Sequence, residues 1–246
     1  EFERLVDATY RMKSPQALEA RAILFICGRL GLRSGEAAHL SEAWVNWSDN
    51  TLSIPEHDPC TGGTNDGEVC GYCRRRAVDE VRARNLSIDD AVAALQQESP
   101  DRVAEMNDEE LRAAAQELRS DINQTVAEAC ADRWQPKTPR AARTIPFDFD
   151  ARIPLVLESF FERFDGWEKS KATLNRRVNR VAEVADVDTN VYPHALRATA
   201  ASAHAARDVS AYSLMNTMGW SDIATARAYV ASNDEQAARE IRSKHR

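Results

Sequence analysis

Apolar positions along this chain recur mostly at helical spacing. Over residues 1–12, Phe2, Leu5, Val6, Ala8 and Tyr10 predict a short amphipathic helix. Ser14-Pro15 reads as an N-cap followed by a first helical residue, where the missing proline N–H costs nothing. The helix it opens, to about Leu30, is apolar nearly all round through Ala22–Cys27, the pattern of an element surrounded by others. Gly31 fits a C-terminal cap. Glu36 and Leu40 fall on a further short helix, and Thr51–Pro55 reads as a strand. Two more strands are expected at about 133–138 and 142–147, joined by a turn at Pro139-Arg140-Ala141. Residues 151–164 and 170–185 give two amphipathic helices, and a helix opens at Pro193. Ser232 and Glu235 have capping-box spacing for a last one. The pattern describes a mainly α fold with a small antiparallel β-sheet.

Composition changes this picture little. With 43% hydrophobic and 29% charged residues, 246 residues suit a globular chain with a sizeable core. No apolar run approaches a membrane span and no charged-then-apolar leader opens the sequence, so a cytoplasmic protein without a membrane partner is expected. The net charge of −7 weighs against a nucleic-acid partner until it is resolved along the chain. Residues 134–246 carry 17 Lys+Arg against 14 Asp+Glu, whereas residues 1–73 carry 6 against 11 and residues 74–133 carry 9 against 14.

The chemistry concentrates between Pro193 and Val230. With Pro193 at the first helical position, His194 and Arg197 lie one turn apart on one face. They sit near the helix N-terminus, where free N–H groups and the dipole favour an anion. An imidazole and a guanidinium placed there describe a phosphate site. Trp220 adds an uncharged N–H donor, and Tyr229 adds a phenol nine residues later on a short helix. Donors around a phosphate with one phenol nearby point to a tyrosine that attacks phosphorus. Singly, each residue has a duller role: His194 a buried histidine, Trp220 and Tyr229 packing, Arg33 a surface ion pair with Glu36.

His194-Ala195-Leu196-Arg197, followed by Met218-Gly219-Trp220-Ser221 and then Tyr229, resembles the C-terminal signature of the tyrosine recombinase (phage integrase) family. The family pattern is H-x-L-R, then L-G-H-S with a tyrosine nine residues past that His; Trp220 stands where most members carry the second His. Gly31-Leu32-Arg33-Ser34-Gly35-Glu36 resembles the G-L-R-x-x-E box that supplies the first arginine. Lys137, ahead of Thr138-Pro139-Arg140, resembles the family's β-hairpin lysine. Four boxes in family order are specific where one alone is not.

The resemblance implies a tyrosine recombinase catalytic-domain-like fold over residues 1–56 and 134–246. A helical insertion in the sheet would occupy residues 57–133, and the family's N-terminal core-binding domain would be absent from this chain. It implies a site-specific recombinase or integrase of a mobile element or virus, cutting and rejoining DNA through a 3′-phosphotyrosyl intermediate. The partners would be double-stranded attachment sites, bound by a homo-oligomer (a tetramer) on DNA. Arg33 and Arg197 would grip the non-bridging phosphate oxygens with forked, permanently charged donors, and Glu36 would buttress Arg33 or its helix. Tyr229 is the nucleophile; ionising a phenol fully at pH 7 costs about 4 kcal/mol, so its proton must leave during attack. His194 would manage that proton, Lys137 would protonate the departing 5′ oxygen, and Trp220 would donate to a phosphate oxygen while packing Tyr229. No cofactor is expected for catalysis, because the arginines supply the positive charge. Arg176, Arg177 and Arg180, along one edge of helix 170–185, are expected to face DNA, with a solvated arginine face as the alternative. Two other functions fit the same residues: a type IB topoisomerase-like relaxase, and a catalytically silent DNA-binding or assembly module.

The insertion carries its own chemistry. His57-Asp58-Pro59-Cys60 and Cys70-Gly71-Tyr72-Cys73 form H-x2-C-x9-C-x2-C, four candidate ligands for a structural zinc, which favours tetrahedral N/S sets. Disulfides are the competing pairing, disfavoured in a cytosolic compartment. Cys27 and Cys130 read as core cysteines, and His39 and His204 as structural histidines. Helical patterns follow at about 76–97 and 107–131.

Overall fold

The computed structural model describes residues 1–246 apart from 61, 63–68, 131–133, 137, 188–189, 231–241 and 243–246. The expected capping box at Ser232 and Glu235 lies outside the described residues. The chain divides into two units, residues 1–68 with 134–246, and residues 69–133. His57 to Cys60 therefore go with the first unit and not with the insertion. There Asp58 and Trp134 exchange two backbone hydrogen bonds of 2.7 and 3.0 Å, and Trp44 Nε1 donates to the Asp58 carboxylate at 2.8 Å.

In the first unit, α2 (Gln16–Gly28) is the central element, with Ile23, Leu24 and Cys27 fully buried. Around it pack α1 (Phe2–Thr9), α9 (Arg152–Phe161), α10 (Lys171–Ala185) and α11 (Pro193–Ala205). Its lack of a polar face is the cause: each fully buried large apolar side chain stabilises the fold by about 1.5–3 kcal/mol, so the helix gains most when covered on every side. On α10 the buried positions Leu174, Val178, Val181 and Ala185 form one stripe, leaving the opposite face to charge.

The sheet has three antiparallel strands in the order β1 (Val45–Asn46), β2 (Thr51–Ile54) and β3 (Arg143–Pro146). Leu52 lies opposite Val45 on one side and Ile145 on the other. The strand expected at 133–138 is not formed among its described residues. A single 3-10 turn, Pro139–Ala141, leads into β3 instead. Pro136 and Pro139 cannot donate to a ladder, and the Trp134 backbone is taken by Asp58.

Three short helices complete this unit: α3 (Ser34–Ala37), α12 (Ala211–Met218) and α13 (Ile223–Arg227). Ser210 Oγ caps α12 by accepting from Ser213 N, and the Asp222 carboxylate caps α13 by accepting from Ala224 N. Leu214, Met218 and Ala226 pack the two together.

The second unit is all helical: α4 (Gly71–Arg84), α5 (Ile88–Glu98), α6 (Pro100–Ala104), α7 (Asp108–Ile122) and α8 (Val126–Cys130). The two long helices expected here are both broken. Ser87 forms a capping box with Asp90, and the Asn123 side chain takes both the N–H and the C=O of Leu86, at 2.8 and 3.0 Å. Those bonds are worth more to Leu86 in a bend than in a helix. Among its described residues the buried ones are Cys73 and four alanines, Ala77, Ala91, Ala115 and Ala129. Among the described residues of the whole chain, no helix is long and apolar enough to cross a membrane.

Candidate active site

A helix ends with carbonyls that have no partner within it and with the negative pole of its dipole. At the end of α12 three successive carbonyls each accept from a different arginine. Thr217 O takes Arg143 Nε at 2.6 Å, Met218 O takes Arg197 Nη2, and Gly219 O takes Arg33 Nη2 at 2.6 Å. Gly219 closes the helix at φ +61°, and Gly31, at φ +71°, offers its carbonyl to Arg197 Nη1. A Cβ on Gly31 would lie 2.5 Å from Met218 Sδ, which would have to shift, and the positive φ itself favours glycine there.

The same three guanidinium groups surround Glu36, which is 1% exposed. As the third residue of α3 it accepts from the Arg33 backbone N–H at 2.8 Å. Its carboxylate also accepts from Arg33 Nη1 at 2.8 Å and from Arg143 Nη1 and Nη2 at 3.1 and 3.0 Å, with Arg197 Nη1 at 3.9 Å. Burial alone would raise the Glu36 carboxyl, but Arg143, Arg33 and Arg197 together hold it below its ordinary value. Burial, then repulsion from Arg33, pushes the Arg197 guanidinium down to about 9, still charged at neutral pH. Three cations around one anion leave a surplus of positive charge in the space they share. Arg33 has the most open side chain of the three at 22%, against 6% for Arg143 and 4% for Arg197.

Beside this cluster the Trp220 ring lies with its centroid 5.8 Å from Arg197 Cζ. Tyr229, half-buried and two residues past the end of α13, stacks on Trp220 with centroids 5.3 Å apart and planes 17° apart. The structure thus brings Arg33, Arg197, Trp220 and Tyr229 into one contiguous group. His194 is exposed in the first turn of α11, three residues before Arg197, and stacks on Tyr192. Lys137 lies outside the described residues. A groove of about 520 Å³ lined by Arg140, Arg143, Thr144, Tyr212, Asn216 and Trp220 opens next to the group.

Arg143 has no place in the expected site. The signal for it was register: it shares a strand face with Ile145, which is fully buried, so its head is carried inward.

The three arginines expected to face DNA separate. Arg177 donates to Glu19 at 2.6 Å, a carboxylate 1% exposed that Lys169 also pairs, so Arg177 serves the core. Arg180 pairs with Glu183 at 2.8 Å on the surface, and Arg176 is exposed and donates to Thr173.

The nitrogen beside Cys60 is that of His39, not His57. His39 Nε2 lies 3.4 Å from Cys60 Sγ, whereas His57 is exposed. Among the described residues, His39 and Cys60 in the first unit, and Cys70 and Cys73 in the second, are candidate metal ligands. All five cysteines are thiols.

The phage integrase family model matches residues 1–236. No curated protein matches the chain. The fold is shared with the XerA recombinase, at 14% identity and a TM-score of 0.52 over 100% of this chain and 61% of that one. It is shared with the Tn1549 transposon integrase in complex with a circular intermediate DNA, at 14% identity and a TM-score of 0.55 over 98% and 63%. It is shared also with the XerH site-specific recombinase bound to its difH substrate, at 12% identity and a TM-score of 0.51 over 98% and 51%. The chain spans less than two thirds of the length of these proteins.

Proposed function

The chain belongs to the phage integrase family, and from that membership we propose that it is a site-specific recombinase that cuts and rejoins DNA through Tyr229. The observation that carries this function is the meeting of Arg33 and Arg197 around Glu36, with Trp220 and Tyr229 stacked alongside. A phosphodiester carries one negative charge and gathers a second as a fifth oxygen approaches phosphorus. Guanidinium forks held in advance by backbone carbonyls stabilise that growing charge with little rearrangement, which is where electrostatic catalysis is strongest.

Tyr229 Oη attacks phosphorus, the bond to O5′ breaks, and a 3′-phosphotyrosyl ester and a 5′-hydroxyl are formed. His194 takes the phenolic proton or positions the phenol, and Lys137 supplies the proton to O5′. A 5′-hydroxyl from another strand then attacks the ester, restoring a phosphodiester and the phenol, with no water or external energy consumed. The substrate is double-stranded DNA at paired attachment sites, on which four protomers assemble. The DNA complexes of the Tn1549 integrase and of XerH support that choice of substrate.

A nicked half-site oligonucleotide, which loses its 5′-hydroxyl fragment after cleavage, should trap the chain covalently on a denaturing gel. Tyr229→Phe keeps the ring that stacks on Trp220 and should abolish capture while DNA binding persists. Capture by the phenylalanine variant would overturn the assignment. Exchange of strands between two labelled sites, as against mere relaxation of supercoils, separates recombination from topoisomerase action.

A further inference from the structure

His39 is oriented as metal-binding histidines are. Its Nδ1 lies 2.7 Å from the Gly35 carbonyl oxygen. A carbonyl only accepts, so Nδ1 carries the proton and Nε2 is left with its lone pair. That lone pair meets Cys60 Sγ at 3.4 Å. Tetrahedral zinc with ordinary Zn–N and Zn–S bonds places a nitrogen and a sulfur ligand roughly 3.5 Å apart. Both side chains are well anchored. The His39 ring stacks on Trp134, centroids 5.2 Å apart, and the Trp134 backbone pairs with Asp58, two residues before Cys60. Cys60 is itself 6% exposed.

In the second unit, Cys70 is the N-cap of α4 and its sulfur accepts from the Cys73 backbone N–H at 3.4 Å. The two sulfurs lie within 4.8 Å of each other. A helix N-terminus favours thiolate, the form that binds metal. With only Cys73 and four alanines buried among its described residues, that unit has little apolar burial of its own. Small units of this kind commonly depend on a metal.

We propose that His39 Nε2 and Cys60 Sγ are ligands of a structural zinc ion, and that His57 is not a ligand. Because Gly35 and Glu36 share α3, the ion also steadies the segment that presents Arg33.

Zinc bound to the purified full chain, measured by elemental analysis after dialysis, should come to about one per chain. Exchange for cobalt(II) should give a thiolate-to-metal band and the intense visible bands of a tetrahedral site. His57→Ala should keep both signals, while His39→Ala and Cys60→Ser should weaken metal binding at least about tenfold. His39→Ala also removes a ring from Trp134, so His39→Cys is the second variant. It should retain the metal with a shifted visible spectrum. Metal-free wild-type protein, loss of metal in His57→Ala with retention in His39→Ala, or a folded His39→Cys chain unable to hold cobalt would each overturn the proposal. None of these readouts depends on recombination.

Discussion

Glu36 sets the electrical balance of the arginine cluster. A carboxylate this deeply buried is tolerable only because Arg33 and Arg143 hydrogen-bond to it and Arg197 stands 3.9 Å away. Removing its charge with Glu36→Gln leaves three guanidinium groups facing one another and should cost roughly 3 kcal/mol, read as a lowered urea midpoint at neutral pH. The carboxyl titrates below its ordinary 4.5 in the folded chain. Its stabilising contribution is therefore whole above pH 4.5 and is lost as pH falls further, through the folded-state value. The stability gap between wild type and Glu36→Gln should narrow over that acid range; a gap that stays constant would show that the charge is not what matters. At this scale the sequence was most legible where a motif fixes spacing, as with Arg33, Glu36, Arg197, Trp220 and Tyr229. Arg143 and His39 were missed because each owes its role to partners far along the chain, Glu36 and Thr217 for one, Cys60 and Trp134 for the other.

Among the elements, α12 and α10 show how helix geometry sorts arginines by task. The end of α12 depends on Gly219, where an added Cβ would meet Arg143 Nη1 at 3.0 Å and the Ala141 backbone at 3.1 Å, at a positive φ. Gly219→Ala should destabilise by about 1–3 kcal/mol. It should also slow covalent capture, since the Gly219 carbonyl anchors Arg33; unchanged melting temperature and capture would refute the anchoring role. On α10 the neighbours Arg176 and Arg177 should behave differently. Arg177→Ala strips a bond from buried Glu19 and should lower stability by about 1.5–3 kcal/mol with little change in DNA affinity. Arg176→Ala should leave stability unchanged and weaken DNA binding, most at low salt, as loss of a phosphate contact does. Urea titration and fluorescence anisotropy across a salt series measure both. Sequence periodicity placed α1, α2, α9 and α10 well, because apolar stripes repeat at the helical period. Tyr229, expected on a short helix, lies two residues past the end of α13, and periodicity did not give α12. It failed for the strand at 133–138, where prolines and a backbone pairing with Asp58 decide the conformation, and for the helices at 76–97 and 107–131, which side-chain amides and caps interrupt.

For the whole molecule, the order of the four motif boxes made the family legible, while the boundary of the inserted unit was not. That boundary falls at residue 69, after the stretch in which Asp58 is tied to Trp134. No local pattern records such a tie. The arginine cluster is likewise built from contacts between remote positions: Arg33 reaches Gly219 across 186 residues, and Arg143 reaches Glu36 across 107. Contacts of such separation form only after the chain has surrendered most of its freedom. The arginine cluster is then among the last things to come into being. On the proposed function, a nascent or half-unravelled copy would hold Tyr229 with no assembled arginines to grip a backbone phosphate.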